Sequence, residues 1–188
     1  MDIDRVTVYS KSVAKEKLRP GDHIYAWRAL YSHHGIYESD EVVFQFTSDA
    51  LLSSSSPEKL CWKCRTTKNR AGVVYSCLDC FLRGDELRLF AYSVPFWFYN
   101  ISNASFLQDT CAMEPADPPE MVLRRANDLW ESNGFGDYEL TANNCFDFAF
   151  YCKTGSRYFR LRLLVQNKTE PGWDNTVPRP LAARCTIQ

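Results

Sequence analysis

With 188 residues, the chain has the length of one domain rather than two. Its 22 Lys+Arg balance 23 Asp+Glu for a formal charge of -1, which argues against a nucleic-acid binder relying on a basic field and against an acidic solvating tail. At 45% hydrophobic and 14% aromatic it can bury a real core, and its eight cysteines require an assignment.

The lead-in, residues 1–16, is polar and of mixed charge, without the apolar stretch or small-residue cleavage site of a secretory signal. No segment approaches the ~18 apolar residues of a transmembrane helix. The nearest, Phe90 to Ile101, is too short and contains Pro95. A reducing, cytoplasmic setting is therefore expected, where thiols serve metals, catalysis or burial. The glycosylation triplets at Asn100, Asn103 and Asn167 then carry little meaning.

Pro20-Gly21 reads as a turn, followed by a strand in the first half of His23 to Tyr31. Gly35 to Tyr37 and Val42 to Thr47 read as two further strands around the polar Glu38-Ser39-Asp40 turn, an antiparallel hairpin. Residues 48–60 read as a loop, 61–80 as a Cys-rich insert and Glu86 to Tyr92 as another strand. After Pro118-Pro119, Met121, Val122, Ala126, Leu129 and Trp130 recur at helical spacing until Asn133-Gly134 stops them. A short strand at Tyr138 to Leu140 leads into Asn143-Asn144-Cys145 and a helix that ends near Lys153 and Gly155. Residues 157–165 fit strand or helix, and the tail from about 168 is irregular. The sum is an α+β domain with mostly antiparallel strands.

Cys145 has the best address for chemistry. Asn144 can cap the following helix, which places the thiol in a first turn beside N–H groups and the positive end of the dipole. Both favour a thiolate and can cradle an oxyanion. A buried small side chain is the bland reading of the same position. A thiolate nucleophile needs an imidazole to take and return its proton. The three histidines are His23, His33 and His34. His33 and His34 precede the strand at Gly35, and neighbouring strand positions face opposite ways, so at most one should point at a given site. His23 reads as structural or surface.

Four ordered motifs carry a resemblance: Arg19-Pro-Gly-Asp-His-Ile-Tyr25, Ser32-His-His-Gly-Ile-Tyr37, Ser76-Cys-Leu-Asp-Cys-Phe-Leu82, and Asn143-Asn-Cys-Phe-Asp-Phe-Ala149 with Tyr151-Cys-Lys-Thr-Gly155. From about residue 17 to 155 the sequence resembles the plant branch of the LRAT-domain (lecithin–retinol acyltransferase-like, NC-domain) proteins, within the NlpC-type permuted papain-like superfamily. The resemblance implies that fold over 17–155, followed by a C-terminal extension at 156–188. It also implies a thiol mechanism. Cys145 would attack an acyl ester and hold the acyl group as a thioester, with His33 as base and His34 in reserve. Transfer to an amine, an alcohol or water gives acyltransferase or phospholipase A-like activity on a lipid.

Two positions depart from the family pattern. Gln45 stands where a second histidine is usual; it can orient an imidazole but supplies no charge. Phe146 replaces the Glu after the nucleophile, leaving Asp147 as the acid of the first turn. The alternatives are a catalytically weak or inactive binding or scaffold protein on the same fold, and a cysteine peptidase or amidase.

Cys61-Trp-Lys-Cys64 and Cys77-Leu-Asp-Cys80 are two Cys-x-x-Cys pairs joined by a 12-residue linker, with Arg65 to Gly72 suited to a hairpin between them. Four thiolates on two tight knuckles are a zinc set, and with no open position the metal would be structural. Four incidental buried thiols are the alternative. No cofactor is expected for catalysis. Cys111, Cys152 and Cys185 have no evident task, although Cys152, seven residues after Cys145, shares its helix face and should pack inward. Two segments offer a route to an acyl-lipid surface, Pro95 to Tyr99 and Arg157 to Leu163; the preferred readings are plainer, a core strand for the first and a solvated strand edge for the second.

Overall fold

A five-stranded antiparallel sheet forms the centre of the domain. The computed structural model describes residues 13–48, 61–64, 71–102 and 110–158, all within the unit Met1–Tyr158. The expectations for residues 159–165 and the tail, and those for Asn103, Asn167, Cys185, most of the lead-in and the 48–60 loop, lie outside the described residues, as does most of the hairpin between the Cys pairs. After a 3-10 turn at Lys15–Lys17 come β1 (Asp22–Trp27), β2 (Ser32–Tyr37), β3 (Val43–Thr47), β4 (Gly72–Ser76), α1 (Leu78–Leu82), β5 (Arg88–Leu89), α2 (Phe96–Ser102), α3 (Pro119–Ser132) and α4 (Cys145–Thr154). The strand order is β4-β3-β2-β1-β5.

Alternation along the strands builds two cores on opposite faces. Ile36, Phe44, Phe46 and Val73 pack against Val122 and Ala126 of α3 and Phe148, Ala149 and Cys152 of α4. Ile24, Ala26, Tyr37 and Val43, on the other face, pack against Leu78, Phe81 and Leu82 of α1. The helix α3 follows its apolar periodicity and ends at Asn133, in the left-handed conformation, one residue before Gly134. The Asn133 side chain then accepts a hydrogen bond from the Val73 N–H at 3.0 Å, tying the end of α3 to the sheet edge.

Four sequence expectations change. β2 begins at Ser32, because Trp27 pairs with Ser32 and extends the hairpin; both histidines therefore lie inside the strand. The Cys-rich insert contains sheet and helix of its own: Gly72–Ser76 joins β3, and Leu78–Leu82 coils immediately after it. The strands expected at Glu86 to Tyr92 and Tyr138 to Leu140 shrink to Arg88–Leu89 and an isolated Glu139–Asn143 bridge. Pro95 to Tyr99 is no core strand, since the Pro95 carbonyl accepts from the Phe98 and Tyr99 N–H groups and starts α2. Phe96 and Trp97 stand 68% and 63% exposed on it. Among the described residues, no helix is long and apolar enough to cross a membrane.

Candidate functional site

Cys145 is the first residue of α4, and its surroundings begin with the cap. Asn144 Oδ1 accepts from the N–H groups of Phe146 (2.8 Å) and Asp147 (3.3 Å), while the Asp147 carboxylate accepts from the Asn144 N–H at 2.9 Å. This is a reciprocal capping box, and Asp147 is thereby spent on backbone. Asn144 caps the helix as expected, and two first-turn amides belong to it.

The sulfur of Cys145 reaches the edge of β2. The β2–β3 ladder ends at Gly35–Gln45, although β3 continues to Thr47 along β4. Beyond that point the thiol donates to the Ser32 carbonyl (3.7 Å), and the His34 main-chain N–H is directed at the sulfur. Cys145 thus takes a place along β2 that a residue of β3 would hold. The Tyr138 hydroxyl donates to the sulfur at 3.9 Å. Burial pushes the Cys145 thiol above its usual range and outweighs the N–H groups that favour thiolate. The pull toward thiolate that a helix start offers is thus opposed by burial at this position. Burial and the nearby Cys145 raise Tyr138 as well, so its hydroxyl stays a donor.

His33 lies between the two residues whose main chain meets the sulfur. Its side chain points to the α1 face, where its Nε2 is 2.6 Å from Gln45 Oε1 and its ring stacks on Phe81 at 5.1 Å. The register explains the contact. Gln45 pairs with Gly35 and with Val74, so His33 and Ser76 are its diagonal neighbours on the two flanking strands. The Gln45 amide donates to Ser76 Oγ (2.9 Å), and Ser76 Oγ donates to the Cys77 carbonyl (3.2 Å).

That chain has one direction. A main-chain carbonyl only accepts, so the Ser76 proton is committed to Cys77 and its oxygen receives the Gln45 NH₂. The Gln45 carbonyl then faces His33, and Nε2 must carry the ring proton. Nδ1 is left as a lone pair, buried and without a hydrogen-bond partner among the described residues. Burial holds the imidazole neutral, at a pKa of about 4. No hydrogen bond joins His33 to Cys145.

His34 points to the opposite face, edge-on to Phe146. Its Nδ1 is 2.9 Å from His23 Nε2 and its Nε2 is 2.7 Å from Ser32 Oγ, so both nitrogens are engaged. His23 is buried rather than a surface residue, and its Nδ1 continues to the Tyr92 hydroxyl at 2.8 Å. Burial first, then His34 and Lys153, hold His23 neutral. Cys152 packs inward as expected.

The insert brings the four sulfurs of Cys61, Cys64, Cys77 and Cys80 within 4.8 Å of one another, all as free thiols. Cys61–Cys77 and Cys64–Cys80 are each 3.8 Å apart. A tetrahedron with metal–sulfur bonds of about 2.3 Å has edges of about 3.8 Å, so the donor set fits a metal. The Cys64 and Lys63 N–H groups directed at Cys61 lower its thiol, as a knuckle turn does for a thiolate.

The sequence model of the lecithin retinol acyltransferase family matches residues 16–158. The chain belongs to the LRAT family. It is 42% identical over 178 residues to Protein LEAD-SENSITIVE 1 of Arabidopsis thaliana, covering 84% of this chain and 66% of that one. It is 29% and 28% identical to the lecithin retinol acyltransferases of Rattus norvegicus and Mus musculus, over 72% and 73% of this chain. It spans 54% of the length of each rodent LRAT protein. Tyr138, Ser76 and Phe81 were not singled out from sequence. Each acts across the fold; Ser76 and Phe81 flank cysteines of the Ser76–Leu82 motif, whose spacing draws attention to the thiols rather than to them.

Proposed function

We propose that this LRAT-family chain is a thiol acyltransferase or phospholipase A-like hydrolase that works through a Cys145 thioester on a lipid acyl ester, on a permuted papain-like fold. The observation that carries this reading is the fixed tautomer of His33, which leaves a lone pair at Nδ1 on the residue between Ser32 and His34, whose main chain meets the sulfur. His33 Nδ1 accepts the S–H proton as the sulfur attacks the ester carbonyl. Tyr138 and the Cys145 amide, which the Asn144 cap does not take, donate to the oxyanion. Collapse expels the alcohol, which leaves with the proton from His33 and gives the thioester. An amine, an alcohol or water then attacks with His33 again as base. Gln45 orients the imidazole without supplying charge.

The four-thiol set serves as a structural zinc site, which supplies folding energy and leaves no open position for substrate. Lipid substrates meet the protein at a peripheral surface, and Phe96 and Trp97 are the exposed aromatics suited to it. A cytoplasmic location agrees with free thiols.

Intact-mass measurement after incubation with phosphatidylcholine tests the reading. An acyl adduct that disappears in Cys145→Ala supports it. No adduct, together with an ordinary alkylation rate at Cys145, favours the second reading, a weakly active or inactive binding protein. The neutral, buried thiol is the feature that speaks for that alternative.

A further inference from the structure

We propose that the four-cysteine knuckle positions the His33 imidazole through Ser76 and Phe81, so that metal loading sets the reactivity of Cys145. The inference rests on the roles given to His33 and Cys145 above. It concerns two residues to which the mechanism above gives no part.

Ser76 and Phe81 each sit directly beside a metal-set cysteine, Ser76 before Cys77 and Phe81 after Cys80. From there they hold His33 in two independent ways. Ser76 orients Gln45, and Gln45 fixes which imidazole nitrogen carries the proton. Phe81 covers the ring face. The seat for Phe81 is built into β2, since a Cβ on Gly35 would lie 2.9 Å from Phe81 Cε2 and 2.8 Å from the Phe44 carbonyl oxygen. Only a glycine leaves the strand bare at that point.

The helix that carries Phe81 cannot hold itself. Five residues are far below the length at which a helix persists alone, roughly 12–15 residues. Its position is imposed from outside. Arg28, in the turn after β1, donates to the Phe81 and Leu82 carbonyls at the C-terminal end. The knuckle holds the other end: Cys77 is the N-cap residue and Cys80 lies in the helix itself. The ion pairs of Asp79 with Lys15 and Lys63 are solvent-exposed and contribute little. Without a metal, Leu78, Phe81 and Leu82 still pack on the sheet, and the Leu78 N–H still donates to the Asp40 carbonyl. But the Cys77 carbonyl that anchors Ser76 and the helix that anchors Phe81 then lose the clamp that joins them to Cys61 and Cys64. The His33 tautomer and ring position are then held less tightly.

The test is peptide-resolved alkylation of Cys145 by iodoacetamide in the full chain across a pH series. Zinc-loaded protein is compared with chelated protein and with Ser76→Ala, Ser76→Thr, Phe81→Leu and His33→Ala. Chelation and Ser76→Ala should each slow alkylation about threefold to tenfold, the range of one neutral hydrogen bond, and remove the His33-dependent limb of the pH profile. Ser76→Ala should retain its full zinc content, and Ser76→Thr should restore the rate. If chelation unfolds the chain by circular dichroism, Ser76→Ala and Phe81→Leu decide. Unchanged or faster alkylation with Ser76→Ala, or in folded chelated protein, overturns the coupling, and leaves the thiol–imidazole reading intact if His33→Ala is slow. If His33→Ala leaves the rate and profile unmoved, the base assignment fails, and this proposal fails with it.

Discussion

Asn144 and Asp147 close on each other's backbone at the start of α4, each side chain accepting the other's main-chain N–H. The nucleophile candidate lies between them, so its place against β2 depends on this pair. Asn144→Ala should cost about 1–2 kcal/mol of stability, the usual loss for a helix cap. Urea denaturation measures it. Asp147→Ala removes the return bond and should cost less. Equal stability of Asn144→Ala and wild type would show that the cap does not anchor α4.

Zinc content is the second expectation. Freshly purified protein should hold about one zinc per chain, because four thiolates complete one tetrahedral set. Cys64→Ser and Cys80→Ser should each bind less and melt earlier. Less than half an equivalent in wild-type protein counts against the site.

The buried histidines set the acid response. His33 has a folded pKa of about 4 against 6.5 when free, and His23 is lowered in the same direction. Between those values the unfolded chain binds more protons than the folded one, so stability falls as pH decreases from 6.5 toward 4. Above 6.5 the two groups have no effect. Equilibrium unfolding over that window should show the decline, and His33→Gln should flatten it. A decline of the same slope in His33→Gln would assign it to other groups.

Gly72 and Asn133 form a latch at the sheet edge. Gly72 has φ near +97°, and a Cβ there would lie 2.2 Å from Asn133 Oδ1. Gly72→Ala should cost about 2–3 kcal/mol, from left-handed strain and loss of the bond to the Val73 N–H. In an Asn133→Gly background, the added cost of Gly72→Ala should shrink, since the collision is gone. Additive costs would separate the two residues.

Phe96 and Trp97 should matter for substrate presentation. Phe96→Ser with Trp97→Ser should lower turnover of phosphatidylcholine in vesicles several-fold, while hydrolysis of a short soluble ester stays unchanged. Equal loss on both substrates would place the pair in the packing of the domain.

Legibility in the sequence followed the range of the interactions. The α4 cap and the α3 helix depend on residues three or four apart, and Asn144 and the apolar repeat from Val122 to Trp130 announce them. The metal set is readable because two Cys-x-x-Cys pairs constrain geometry by themselves. The His33–Gln45–Ser76 diagonal is different, since it exists only once three strands are in register. β4 and α1 were hidden for a related reason: five residues are too few to display a period, and the cysteine spacing dominates that stretch. The raised Cys145 thiol comes from burial by distant residues, which a helix-start motif does not reveal.

The sulfur of Cys145 fills a gap in the β2 edge, and this makes position 145 doubly sensitive. Alanine there removes the nucleophile and also a rung of the sheet, leaving the Ser32 carbonyl facing an empty notch. Serine keeps a donor but on a shorter bond. An inert variant of this protein therefore needs its own melting curve beside its assay, or a fold defect will be counted as lost chemistry.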